Sequence, residues 1–125
     1  MRGALSTDLY ELTMAAGYHA AAEDTVASFE LFVRELPVDR AYLVSAGLEE
    51  ALDFLCDWHF TADDIAYLRS VPGLSGASSD FFDVFLPGLR FTGDVWAVTE
   101  GLPVFAGEPL LRVRAPLAEA QLVET

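Results

Sequence analysis

Residues 89–116 read LRFTGDVWAVTEGLPVFAGEPLLRVRAP, and this stretch decides the fold class. Its apolar runs are short, and the turn-forming groups TG and GLP separate them. Short apolar runs bounded by Gly and Pro are typical of strands rather than helices. The stretch therefore predicts a small, mainly antiparallel sheet in the last third of the chain, built from LRF, DVWAVTE, VFAGEP and LLRVRAP.

Helical patterns fill most of the chain before this sheet. Asp8 and Glu11 have the three-residue spacing of a capping box, and an apolar stripe that includes Leu9 and Leu12 follows at helical spacing. Helices are also predicted for LEEALDFLCDW, for ADDIAYLRS behind a Thr-x-x-Asp cap, and for the apolar stretch DFFDVFL. In VASFELFVR, at 26–34, apolar and polar residues alternate as in a strand. Helices combined with a small sheet define the α+β class.

The last ten residues, PLAEAQLVET, predict one more helix with Pro116 at its first position. Leu117, Ala120 and Val123 would present apolar surface from this helix, and the sequence offers no obvious segment to cover them. Exposed apolar patches of this kind mark interfaces or aggregation sites. We therefore expect the chain to self-associate through this helix.

The composition is strongly acidic, with 20 carboxylates against seven arginines, no lysine and a formal net charge of −13. Nucleic-acid binding depends on clustered basic residues that displace counterions, so the composition excludes it. The same deficit disfavours an anionic membrane surface and repels phosphate-rich ligands unless positive charge comes from outside the chain. No apolar run approaches the roughly 18–20 residues of a membrane span, and the first residues show no signal peptide.

Cys56 is the single cysteine, so an internal disulfide is impossible and a reducing cytoplasm is the expected compartment. The residue lies in the apolar pattern FLCDW, which predicts a buried side chain. The length of 125 residues suits one domain with a modest core.

Sequence motifs that carry chemistry are absent. The chain has no phosphate-binding loop with a lysine, no dinucleotide fingerprint, no CxxC pair and no HExxH. His19 and His59 lie on helix-like segments without matching ligands nearby, so no metal site is predicted. Composition and spacing alone indicate an α+β domain without a self-contained active site, and no catalytic residue is predicted in it.

Several segments together resemble a known family. In order and spacing, TDLYELTMAAGY, ASFELFVRELP, YLVSAGLEEALDFL, FTADDIAYL and RFTGDVWAVTEGLPVFAGEPLLRVRAPLAEAQLVET are similar to the amino-terminal region of nicotinate phosphoribosyltransferase. The resemblance covers nearly the whole chain and is weak only around 71–79. Its most specific parts are the TDLYELTM opening and the final block.

This resemblance implies an enzyme that joins nicotinate to 5-phosphoribosyl pyrophosphate in NAD salvage, with ATP hydrolysis coupled and Mg²⁺ required. It also implies a homodimer whose active sites are shared between subunits. The fold would be the amino-terminal α/β-hammerhead-like domain of type II phosphoribosyltransferases, at 1–115, with 116–125 beginning the helix that leads into a catalytic barrel. The activating histidine and the basic residues that hold phosphates belong to that barrel, so no cofactor is expected to bind this chain alone.

The resemblance also implies a role for the D-x-Y pattern near the amino terminus. Carried over, the Tyr10 ring stacks on the pyridine, Asp8 lies near the phosphoribosyl group, and Thr13 is a weaker candidate one turn further along. These residues are the predicted substrate-binding residues, in the active site of the neighbouring subunit. A purely structural interpretation stays open, in which Asp8 caps the helix and Tyr10 packs against Met14.

Two other functions stay open. The chain could be a non-catalytic module that folds or regulates without turning over substrate. It could also be the corresponding domain of a nicotinamide- or quinolinate-using relative, because the residues that distinguish these bases would lie downstream.

Overall fold

The computed structural model describes residues 3–125, so the first two residues of the predicted 1–115 domain lie outside the described part. It contains five strands and five α-helices, joined by a 3-10 turn at Pro72–Leu74 and a π-helical segment at Phe81–Phe85 that runs directly into α4. The helices are α1 Leu9–Ala20, α2 Leu48–Asp57, α3 Ala62–Ser70, α4 Leu86–Gly88 and α5 Leu117–Leu122. The strands are β1 Val26–Phe32, β2 Leu43–Val44, β3 Asp94–Ala97, β4 Pro103–Val104 and β5 Pro109–Pro116.

The larger sheet has three antiparallel strands in the order β1-β5-β3. Val113 of β5 lies opposite Phe29 of β1 on one edge and opposite Val95 of β3 on the other. A second sheet pairs only the two-residue strands β2 and β4, also antiparallel. The predicted α+β class and the mainly antiparallel sheet are therefore confirmed.

The main core lies among the helices. Its largest fully buried apolar side chains come from the segment after α2, from α3, from the π-helical segment, from α4 and from α5: Trp58, Leu68, Phe81, Leu86 and Leu122. Aromatic rings meet edge to face within it, with the Trp58 and Phe60 centroids 5.6 Å apart. No helix within residues 3–125 is long and apolar enough to cross a membrane.

The prediction of an exposed apolar patch on the last helix was wrong for the central residue of that patch. Ala120 is fully buried, its neighbour Leu122 is 1% exposed, and Leu117 and Val123 are half-buried. The reason is that α5 follows β5 without a loop and turns back onto α1. The Leu117 backbone N–H donates to the Thr25 carbonyl at 2.8 Å, which anchors this turn just ahead of β1.

Two further sequence predictions were wrong. The segment LRF forms no strand, because α4 ends at Gly88 and Leu89 is buried in the helical core before the chain reaches the sheet. Cys56 is exposed rather than buried. On α2 the preceding residue, Leu55, faces inward, and the 100° turn between neighbouring helical residues carries the cysteine to the solvent side.

We expect Gly93→Ala to lower the free energy of unfolding. A Cβ at Gly93 would lie 2.5 Å from both the Ala115 Cβ and the Arg114 carbonyl oxygen, so β5 or the preceding loop would have to move. Such overpacking costs about 1–3 kcal/mol, measurable by urea unfolding. Gly76→Ala is the control, because its Cβ would meet nothing within 4 Å and should change stability by about 0.5 kcal/mol or less. Equal stability of the two variants would contradict the prediction.

Candidate functional site

The predicted substrate-binding residues lie at the start of α1. Asp8 is the N-cap, and Glu11 completes the predicted capping arrangement by accepting the Asp8 backbone N–H at 2.9 Å. The Asp8 side chain itself is exposed to solvent. The capping prediction is confirmed, and the arrangement leaves the Asp8 carboxylate accessible to a ligand.

Tyr10 lies in the first turn of α1 with half of its surface, 50%, exposed. Met14 follows one turn later and is 40% exposed, so packing between these two residues would still leave the ring open to solvent. The Tyr10 hydroxyl lies 3.4 Å from the Glu11 Oε1 atom, a long hydrogen bond. The ring therefore has a hydroxyl end beside a buried carboxylate and an accessible remainder, which suits contact with a flat ligand.

Thr13 lies one turn beyond Tyr10 and is exposed. Its hydroxyl donates to the Tyr10 carbonyl oxygen at 2.8 Å, so its proton is already used inside the helix. Only its lone pairs are left to accept from a ligand. The helix thus brings all three predicted residues to one end, with Asp8 and Tyr10 accessible and Thr13 partly engaged.

The most buried polar residue of this region, Glu11, was not predicted as a site residue. Its side chain is fully buried, although it follows the exposed Tyr10 directly. The carboxylate accepts hydrogen bonds from the Thr7 hydroxyl, the Asp8 backbone and the Thr125 hydroxyl, the last at 2.8 Å. The capping spacing was the only signal for Glu11 in the sequence, and it does not report burial.

The segment α5 forms the other wall of this site. Gln121 is 5% exposed; its amide nitrogen donates to Glu124 at 2.7 Å, and its oxygen lies 3.4 Å from the Tyr18 hydroxyl. These contacts hold the end of α5 beside α1. They also bring the Glu124 carboxylate close enough to influence Tyr10 electrostatically.

The surroundings of Tyr10 raise the pKa of its phenol above the ordinary value. Partial desolvation is the largest cause, followed by the negative charges of Glu11, Glu124 and Asp8, which oppose formation of a phenolate. The phenol consequently stays neutral in the folded chain at a pH where the unfolded chain loses the proton. The contribution of Tyr10 to the free energy of unfolding is therefore complete below the pKa of the unfolded state. It is lost as pH rises through the pKa of the folded state.

The remaining candidates make structural contacts. The His19 Nε2 atom lies 2.9 Å from an Asp80 carboxylate oxygen, and its ring packs 4.6 Å from that of Phe85. In the last third of the chain, the Glu100 carboxylate accepts the Leu48 backbone N–H at 2.6 Å, at the start of α2. Within the described residues, no group of three or more His, Cys, Asp or Glu side chains could hold a metal ion.

Comparisons with known proteins identify the family of the domain. A family model described as the nicotinate phosphoribosyltransferase N-terminal domain matches residues 5–125, which include the whole site. A nicotinate phosphoribosyltransferase of Mycobacterium tuberculosis, pncB2, is 49% identical over 98% of this chain and 26% of its own length. The Bacillus subtilis nicotinate phosphoribosyltransferase is 45% identical over 97% of this chain and 24% of its own.

Solved structures give the same result. The human nicotinic acid phosphoribosyltransferase crystal structure matches with a TM-score of 0.82 and 38% identity, covering 94% of this chain and 24% of that one. The Porphyromonas gingivalis nicotinate phosphoribosyltransferase structure, at 19% identity and a TM-score of 0.59, shares the fold. The chain spans about a quarter of the length of the curated relatives named above.

The fold and the comparisons together define an amino-terminal domain of the phosphoribosyltransferase class. The chain belongs to the nicotinate phosphoribosyltransferase family.

The raised pKa of Tyr10 gives a direct test of this local geometry. The tyrosinate absorbance of the chain minus that of its Tyr10→Phe variant reports Tyr10 alone. We expect the difference to appear with a midpoint above about 10, the ordinary phenol pKa. Added salt should move the midpoint part of the way back, because it screens the exposed carboxylates. A midpoint at or below the ordinary value would mean that the phenol does not lie among these acids.

Proposed function

We propose that this chain is the amino-terminal domain of an enzyme that joins nicotinate to 5-phosphoribosyl pyrophosphate. The products are nicotinate mononucleotide and pyrophosphate, and the reaction is coupled to ATP hydrolysis with Mg²⁺ in cytoplasmic NAD salvage. The observation that carries the proposal is the half-exposed Tyr10 ring at the start of α1, within a domain of this family.

Tyr10 contributes a flat π-surface on which the pyridine ring of nicotinate stacks. Stacking of two aromatic rings is worth about 0.5–1.5 kcal/mol beyond the area that it buries. Asp8, exposed beside it, lies near the phosphoribosyl group, where a carboxylate can accept hydrogen bonds from ribose hydroxyls. Thr13 contributes at most an acceptor, because its hydroxyl proton is bound to the Tyr10 carbonyl.

The phosphate chemistry belongs to residues outside these 125. The chain has a net charge of −13 and no lysine, and several of its arginines are already engaged. Arg69 pairs with Asp83, and Arg112 donates to Glu30 at 2.7 Å. As the family resemblance implies, the activating histidine and the basic residues for diphosphate and nicotinate carboxylate would belong to a catalytic barrel, into which residues 116–125 lead. Tyr10 acts in the neighbouring subunit of a homodimer, so that each site is shared.

The chain alone is expected to transfer no phosphoribosyl group. Incubated with nicotinate, 5-phosphoribosyl pyrophosphate, ATP and Mg²⁺, it should yield no nicotinate mononucleotide by chromatography. The positive control is a chimera in which residues 1–125 replace the matching segment of the Mycobacterium tuberculosis relative, which is 49% identical there. Turnover by the chain at the rate of the chimera would show that it holds a complete site.

Tyr10→Ala in the chimera should weaken the use of nicotinate while leaving the fold intact. Losing the stacking contact predicts a roughly 2- to 12-fold lower kcat/KM, because 1.4 kcal/mol corresponds to one decade. Tyr10→Phe keeps the π-surface and should lose less. Tyr67→Ala is the matched control, because Tyr67 lies on α3 and is similarly exposed, at 60%. Equal effects of the two alanine variants would refute the stacking role.

A further inference from the structure

The proposed function assigns no role to the buried carboxylate of Glu11, yet it is the most enclosed charged group of the site. An ionised carboxylate without exposure to water is strongly destabilising unless hydrogen bonds compensate it. Glu11 has four donors around two oxygen atoms. Because both carboxylate oxygens have hydrogen-bond donors, the Glu11 side chain is held in one orientation.

The two oxygen atoms of Glu11 hold different parts of the molecule. Oε2 accepts from the Thr7 hydroxyl and the Asp8 backbone N–H, which are the groups that precede α1. Oε1 accepts from the Thr125 hydroxyl at 2.8 Å and lies 3.4 Å from the Tyr10 hydroxyl. One carboxylate thus connects the start of α1, the Tyr10 phenol and the residues after α5.

Helix capping alone does not explain this arrangement. In α3 the same capping box is made by Thr61 and Asp64, where the Asp64 carboxylate accepts the Thr61 backbone N–H at 2.8 Å. Asp64 is not fully buried and has no bond to a tyrosine or to a distant segment among its hydrogen bonds. One carboxylate oxygen of a partly exposed side chain is therefore enough for a cap, whereas Glu11 is buried and uses both oxygens.

We propose that Glu11 is a positioning residue for Tyr10, and that it links the placement of the ring to the junction between α1 and α5. The inference rests on the proposed function, in which the ring stacks on the pyridine. A half-exposed tyrosine can rotate between staggered side-chain rotamers. A fixed carboxylate 3.4 Å from its hydroxyl favours the rotamer that keeps this contact, so that less freedom is lost when the pyridine binds.

The test is a double-mutant cycle in the chimera between Glu11→Gln and Tyr10→Phe. Each single variant should raise the KM for nicotinate roughly 2- to 3-fold with kcat unchanged, the low end for one lost hydrogen bond, because the 3.4 Å contact is long. Because both substitutions remove the same contact, the KM of the double variant should be no higher than that of the more impaired single variant. Asp64→Asn is the control for the loss of a capping charge and should leave KM unchanged.

A readout independent of turnover comes from the 125-residue chain. Glu11→Gln should lower the titration midpoint of Tyr10, measured by difference against the same variant carrying Tyr10→Phe, because a nearby negative charge is removed. Asp64→Asn should leave this midpoint in place. Urea unfolding of each variant establishes that the folded state is being measured.

The outcomes separate the inference from the proposed function. A silent Tyr10→Ala would remove the stacking role itself. Suppose instead that Tyr10→Ala is harmful, but that Glu11→Gln raises KM by the same factor whether residue 10 is Tyr or Phe. Glu11 then has only a structural role and the inference fails.

Should Glu11→Gln not fold, Thr125→Val replaces it in the cycle, since it removes a donor to Oε1 and leaves the cap on Asp8 intact. Additive effects of Thr125→Val and Tyr10→Phe would then overturn the inference.

Discussion

The pairing of β5 along both of its edges is the constraint on which the rest of the structure depends. Val113 is 6% exposed and Ala115 is 1% exposed, so this strand has one face that must be buried. A slip of one residue against β1 or β3 would turn that face outward. Because β5 continues into α5 without a loop, its register also sets where α5 begins and therefore which residues of α5 meet α1.

This connection explains why the candidate site is assembled from both ends of the chain. Tyr10 and Glu11 belong to α1, whereas Thr125 reaches Glu11 from the residues after α5. Gln121 of α5 lies beside Tyr18, further along α1. A second buried carboxylate supports the same junction: Glu119 of α5 accepts the Thr92 backbone N–H at 2.7 Å, ahead of β3. The segment that leads into β3 thus holds α5 by a hydrogen bond, in addition to the chain connection from β5, and the residues after α5 in turn contact the start of α1.

Local patterns predicted what local physics decides. The strand β1 and the capping boxes of α1 and α3 depend on neighbours within a few residues, and the structure confirms them. The alternation in β1 holds only as far as Glu30, because Leu31 is 59% exposed. Burial was predicted less well, because it depends on distant contacts. Ala120 is covered only because α5 turns back onto α1, and Glu11 is enclosed partly by Thr125, 114 positions away. The site residues Asp8, Tyr10 and Thr13 came from the family resemblance, since spacing alone could not separate a packing tyrosine from a binding one.

The charges around Tyr10 also restrict how nicotinate can bind under the proposed function. Asp8 is exposed at the start of the helix, and Glu124 acts on the phenol from the α5 side. The carboxylate of nicotinate is repelled by both, with an energy that grows as water is excluded from the closed site. A pyridine stacked on Tyr10 must therefore direct its carboxylate away from this domain, toward positive charge that the lysine-free chain does not supply. Under the proposed function, the acidic character of the domain would contribute to catalysis by orientation: it would disfavour the reversed pose of the ring and leave the productive one.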